Sequence, residues 1–138
     1  MTSASREGRS GMPGPTINLA YVTLDCPDPE ELADFYSVLL GWAKNRISDE
    51  WLAVAPPEGR FSLLFQGSKD YIPPAWPSKE GKQQQMMHLD FSASPGDKEA
   101  VERHAVACGA TLSPVQHYPE YTIFLDPVGH PFCIGFVD

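Results

Sequence analysis

His88 and Asp90 stand two residues apart in the short apolar run Met-Met-His-Leu-Asp-Phe at 86–91. On an extended strand that spacing brings an imidazole and a carboxylate to one face. The pair can do three kinds of work. The imidazole can ligate a metal, it can take a proton as a general base, or it can simply hydrogen-bond at a strand start. Asp90 can orient the ring in any of the three. His88 is therefore the first candidate for a catalytic residue.

The elements that must carry this pair read as follows. Residues 16–26 alternate as a strand. Cys26-Pro27-Asp28-Pro29 breaks it. Asp28 is a good N-cap, Pro29 suits the first helical position and Glu31 sits at the capping-box position. Leu32, Phe35, Tyr36, Leu39 and Leu40 recur at helical spacing, and Gly41 stops the helix. Strands are expected over 42–48, 51–55 and 61–66. Residues 68–85, rich in Pro and Gln and carrying Tyr71, Ile72 and Trp76, form a connector whose aromatic residues suit packing over something. The second half then gives a strand over 88–93, a helix from Asp97 to Cys108 with Gly109 as its stop, and strands over 112–118, 121–125 and 131–137. Residues 1–15 read as a flexible tail, with Met12 as an alternative start of the ordered protein.

The totals bound the function classes. A chain of 138 residues with 42% hydrophobic and 20% charged residues is a single folded domain with a core of its own. The net charge of −8 argues against nucleic acid and anionic membranes as partners. No apolar run reaches the roughly 20 residues that span a bilayer. Three cysteines, Cys26, Cys108 and Cys133, make no C-x-x-C pair and no even set. A reducing cytoplasm is expected. No P-loop, Rossmann glycine pattern or nucleophile elbow occurs.

The two halves repeat one β-α-β-β-β unit. Tyr21 corresponds to His88, Gly41 to Gly109, and the turn at Pro57-Glu58-Gly59-Arg60 to Pro127-Val128-Gly129-His130, each displaced by about 70 residues. Each half would expose an apolar sheet face that it cannot bury alone. The fold class expected is α+β: tandem modules 16–67 and 86–138, joined by connector 68–85, form a curved mixed sheet around a central cleft with the helices outside.

On the residues Asp28-Pro29-Glu30-Glu31-Leu32-Ala33-Asp34-Phe35-Tyr36, Leu40-Gly41-Trp42, His88-Leu89-Asp90-Phe91 and Leu125-Asp126-Pro127-Val128-Gly129-His130-Pro131-Phe132, the chain resembles the vicinal oxygen chelate superfamily. That group includes glyoxalases, bleomycin-resistance proteins, fosfomycin-resistance enzymes and extradiol dioxygenases. The resemblance covers the chain from Thr16 onward and is strongest to the bacterial glyoxalase-like branch. It implies a divalent metal on inward-facing residues of both halves, leaving open positions for substrate oxygens.

Position matching, as the resemblance implies it, keeps His88 as a ligand. It puts Cys133 where the family has glutamate, Tyr21 where it has histidine or glutamine, and Leu63 at the remaining place. A neutral phenol ligates poorly and a leucine not at all. His88 with Cys133, and Tyr21 as a weak third, could hold zinc or another first-row ion. Two strong ligands are fewer than the three of most catalytic zinc sites, so the set favours a protein without a stoichiometric first-row metal. Cys133 as a small buried hydrophobe is the simpler reading. His130, in a turn, is expected to face solvent, and His104 to be structural.

Two functions stay open. One is a glyoxalase-type lyase or isomerase acting on a small oxygenated molecule, with His88 as ligand or base. The other is a metal-free binding protein for a drug or metabolite, of the bleomycin-resistance kind. Either way the pocket expected is Tyr21, Leu63, Trp76, His88, Asp90 and Cys133. The resemblance also implies a homodimer.

Overall fold

The computed structural model describes residues 14–59 and 61–137. The expected tail at 1–15, with Met12, lies outside them except for Gly14 and Pro15, which are exposed. The first module is β1 (Tyr21–Cys26), α1 (Pro29–Leu40), β2 (Ala43–Arg46), β3 (Trp51–Ala55) and β4 (Ser62–Gly67). The second is β5 (Leu89–Ala93), a 3₁₀ turn (Pro95–Asp97), α2 (Lys98–Cys108), β6 (Thr111–Leu112), β7 (Tyr121–Leu125) and β8 (Pro131–Phe136). Each module forms its own four-stranded mixed sheet, in the orders β1-β4-β3-β2 and β5-β8-β7-β6. The first strand of each runs parallel to the last, and the other pairs are antiparallel. The repeat read in the sequence is therefore a repeat of topology.

The ends of α1 are set by local chemistry. The Asp28 side chain accepts the Glu30 amide at 3.0 Å, Pro29 opens the helix, and Glu30 and Glu31 complement the positive end of the dipole. Gly41 closes it at φ 71°, in the left-handed region, and its amide reaches the Ser37 carbonyl at 2.8 Å. Asp97, expected as the cap of α2, makes no side-chain capping bond. The 3₁₀ turn before α2 occupies that place. The strand expected over 112–118 shortens to Thr111–Leu112, because Pro114 cannot donate to a ladder.

Both modules share one core. Leu32, Phe35 and Tyr36 of α1 join Leu52, Val54, Leu63 and Phe65 of the first sheet and Phe124, Phe132, Ile134 and Phe136 of the second. The Tyr36 ring stacks on Phe65 at 5.4 Å and meets Phe132 edge-on at 6.1 Å. Phe132 stacks in turn on Phe124 at 5.5 Å. The helices thus cover one face of each sheet. The other face carries Tyr21, Thr23 and Asp25 on β1, with Asp90 and Ser92 on β5, and all five are exposed. The edge strand β2 is held to α1 by ion pairs from Lys44 to Glu30 and Asp34 and from Arg46 to Glu30.

Candidate functional site

Parity along β5 and β8 builds the site. Leu89, Phe91 and Ala93 point to the core, so His88 and Asp90 point the other way. His88 Nε2 lies 3.4 Å from Asp90 Oδ1. Asp90 is the register partner of Cys133 on the neighbouring parallel strand. One ligand atom from each of His88, Asp90 and Cys133 lies within 4.8 Å of the other two. Burial, followed by the Asp90 carboxylate, pushes the Cys133 thiol above its ordinary range.

His88 also lines a cavity of about 390 Å³, within the size range of small-molecule sites. Its walls come from three places. Val22 to Asp25 of β1 form one side. The connector supplies Tyr71, Ile72, Pro74 and Gln83 to Gln85, followed by Met86 and Met87 at the start of the second module. The second module adds His88, Leu89, His130 and Pro131. The His–Asp–Cys cluster and the cavity therefore meet at His88.

The pocket expected from sequence is only partly assembled. His88, Asp90 and Cys133 come together, but of the three only His88 lines the cavity. Tyr21 is 45% exposed and lies outside the cavity wall. Trp76 sits in the connector, half-buried, outside the wall; its Nε1 is buried and has no hydrogen-bond partner among the described residues. Leu63 belongs to the core, at 2% exposure. Its register partner is Val22, a core-facing residue. One residue further on, Leu64 faces Thr23 just as Cys133 faces Asp90. The expected position is displaced by one residue, and one step along a strand reverses the face.

His130 also departs from expectation. Its side chain is only 16% exposed and its Nδ1 lies 2.8 Å from the buried Asp126 carboxylate. The signal was present in Asp126-Pro127-Val128-Gly129-His130, since an aspartate that caps its own turn draws the following residues inward. Asp126 Oδ1 accepts the amides of Val128 and His130, both at 3.0 Å. Tyr71, expected only to pack, donates to the Val128 carbonyl at 2.8 Å. His104 is exposed on α2, and its Nε2 lies 3.0 Å from the Leu39 carbonyl.

No helix among the described residues is long and apolar enough to cross a membrane. The Glyoxalase-like domain family matches residues 21–135. A glyoxalase/bleomycin resistance protein/dioxygenase family enzyme from Burkholderia phytofirmans PsJN is similar over 88% of this chain and 100% of its own, with 20% identity and a TM-score of 0.65. A glyoxalase-related enzyme from Fulvimarina pelagi is similar over 86% and 87%, with 22% identity and a TM-score of 0.64. TnmS3, an antibiotic binding protein from Streptomyces sp. CB03234, is similar over 89% and 98%, with 17% identity and a TM-score of 0.59. At these identities the likeness is one of fold. No curated protein matches. With the paired modules and the matched span together, the chain belongs to the glyoxalase-like domain family of the vicinal oxygen chelate superfamily.

Proposed function

We propose that the protein binds a small oxygenated molecule in the cavity between β1, the connector and His88, and that His88, Asp90 and Cys133 hold one divalent ion beside it. The observation that carries the reading is the convergence of an imidazole nitrogen, a carboxylate oxygen and a thiol sulfur, with His88 shared between that cluster and the cavity wall. Three protein donors with a side open to substrate suit a catalytic rather than a structural metal, and the sulfur suits zinc. Asp90 supplies the third donor that position matching did not count. Such an ion would polarise an oxygen of the bound molecule as a Lewis acid. The chain's own part is to aim His88 into the cavity, to set its ring against Asp90, and to bring Cys133 alongside through the β5–β8 register. The activity that fits is a lyase or isomerase step of the glyoxalase type.

A metal-free binding protein is the second reading. It is supported by the raised Cys133 thiol, which disfavours the thiolate a metal needs, and by the likeness in fold to an antibiotic binding protein. Exposed Tyr21, Trp51 and Tyr121 on the helix-free faces support a homodimer. Three free cysteines support a reducing cytoplasm.

Elemental analysis of protein purified without chelator separates the two. About one zinc per chain, lost in His88→Ala, is expected. Metal-free wild-type protein that also fails to take up added zinc sinks the metal reading and leaves the binding protein.

A further inference from the structure

Asp126 is the hub of a second cluster that the metal reading does not use. Its side chain is fully buried at the end of β7. Besides the two turn amides on Oδ1, its Oδ2 accepts the Tyr36 hydroxyl at 2.7 Å and faces His130 Nδ1 at 2.8 Å. An ionised carboxylate only accepts, so the hydrogen-bond network assigns the imidazole proton to Nδ1. Nε2 is then an acceptor on the opposite side of the ring. The Tyr71 hydroxyl lies 3.5 Å from it. Tyr71 has a single proton, and that proton goes to the Val128 carbonyl at 2.8 Å. The Nε2 lone pair is thus left without a donor among the described residues, on a residue that lines the cavity.

The rest of the wall says what could supply that donor. Ile72, Pro74, Met86, Met87 and Leu89 make much of it apolar. Asp25 and Asp70 add carboxylates, and among the described residues neither Lys nor Arg lines it. An anionic ligand would meet two acids and no cation to balance it. We infer that His130 Nε2 is the hydrogen-bond-accepting anchor of the cavity, taking the hydroxyl proton of a neutral, largely apolar ligand of the phenol or alcohol class, with Asp126 as the positioning residue that fixes the ring. The inference rests on the reading that this cavity receives a small molecule. It does not depend on a metal at His88.

The test uses full-length protein with ¹⁵N-labelled histidine and long-range ¹H–¹⁵N spectra at about pH 8, above the ordinary histidine range. The probes are phenol, toluene and benzoate, and His130→Gln assigns the signals. The His130 ring is expected in the Nδ1–H form. Phenol should shift its Nε2 resonance and bind about tenfold more weakly to His130→Gln, as loss of one hydrogen bond predicts. Toluene should bind weakly and equally to both proteins, and benzoate more weakly than phenol. An Nε2–H ring, equal phenol affinity in wild type and His130→Gln, or benzoate binding as well as phenol overturns the inference while leaving the cavity reading intact. A correctly protonated His130 in a wild-type protein that binds neither phenol nor toluene overturns the cavity reading, and this inference with it.

Discussion

The hydroxyl of Tyr36, on α1 of the first module, donates a 2.7 Å hydrogen bond to Oδ2 of Asp126, in the turn after β7 of the second. Ninety positions separate the two residues in the chain, and both are buried. Burial, with Asp126 next in weight, holds the Tyr36 phenol well above its ordinary range. The bond thus joins the modules inside the core that they share.

Removing that hydroxyl tests how much the joint contributes. Tyr36→Phe keeps the ring stack on Phe65 but leaves Oδ2 with the His130 contact alone. A hydrogen bond to a charged group contributes about 1.5–3 kcal/mol, so the variant should unfold at lower urea with an unchanged m-value. A midpoint equal to wild type would show that the bond contributes nothing net.

Leu63 should behave as a core residue. Leu63→Ala removes a core side chain and is expected to cost about 2–5 kcal/mol in urea unfolding, with cavity binding of phenol unchanged. A variant near wild-type stability would contradict the core placement of Leu63.

Cys26 provides the pH prediction. It is fully buried and its Sγ–H points to the Gln66 carbonyl at 3.5 Å. Burial first, then Asp28, Asp25 and Asp126, push its thiol from 9.0 up to about 12. The folded state thus holds this proton more tightly than the unfolded state does. The stabilisation is complete below 9.0 and is lost as pH rises towards about 12. Urea unfolding followed across that window should fall with pH less steeply in Cys26→Ala than in wild type. At neutral pH, iodoacetamide should label Cys26 only after unfolding.

At Gly41 the strain can be isolated. A methyl group there meets nothing within 4 Å, so Gly41→Ala introduces no clash, only a left-handed backbone at φ 71°. The expected cost is about 1–2 kcal/mol. A neutral result in thermal unfolding would show that the end of α1 relaxes freely.

What the sequence made legible follows from what its signals encode. Asp28, Pro29 and Gly41 act through their immediate neighbours, so both ends of α1 could be read directly. The repeat could be read because Tyr21, Gly41 and the turn at Pro57 recur in the same order as His88, Gly109 and the turn at Pro127. Contacts that depend on register across strands could not. Position matching puts Leu63 in the cleft, and a one-residue displacement inverts the face. Cys133 escaped that displacement because its distance from Asp126 was counted on the correct parity, and Asp90 joined it through a pairing that no local pattern reveals. His130 looked solvated because a turn histidine usually is. Only the burial of Asp126, fixed by Tyr36 from the other module, turns its ring inward.

The connector has a consequence for how this chain can change. None of the described core residues falls between 68 and 85, yet Tyr71, Ile72, Pro74 and Gln83 to Gln85 form much of the cavity wall. Folding is secured by the modules, while on the reading proposed above ligand preference would be written largely on the strap between them. Substitutions in that strap escape the stability cost that restrains core positions. Selection can therefore retune which molecule is accepted while the scaffold stays as it is.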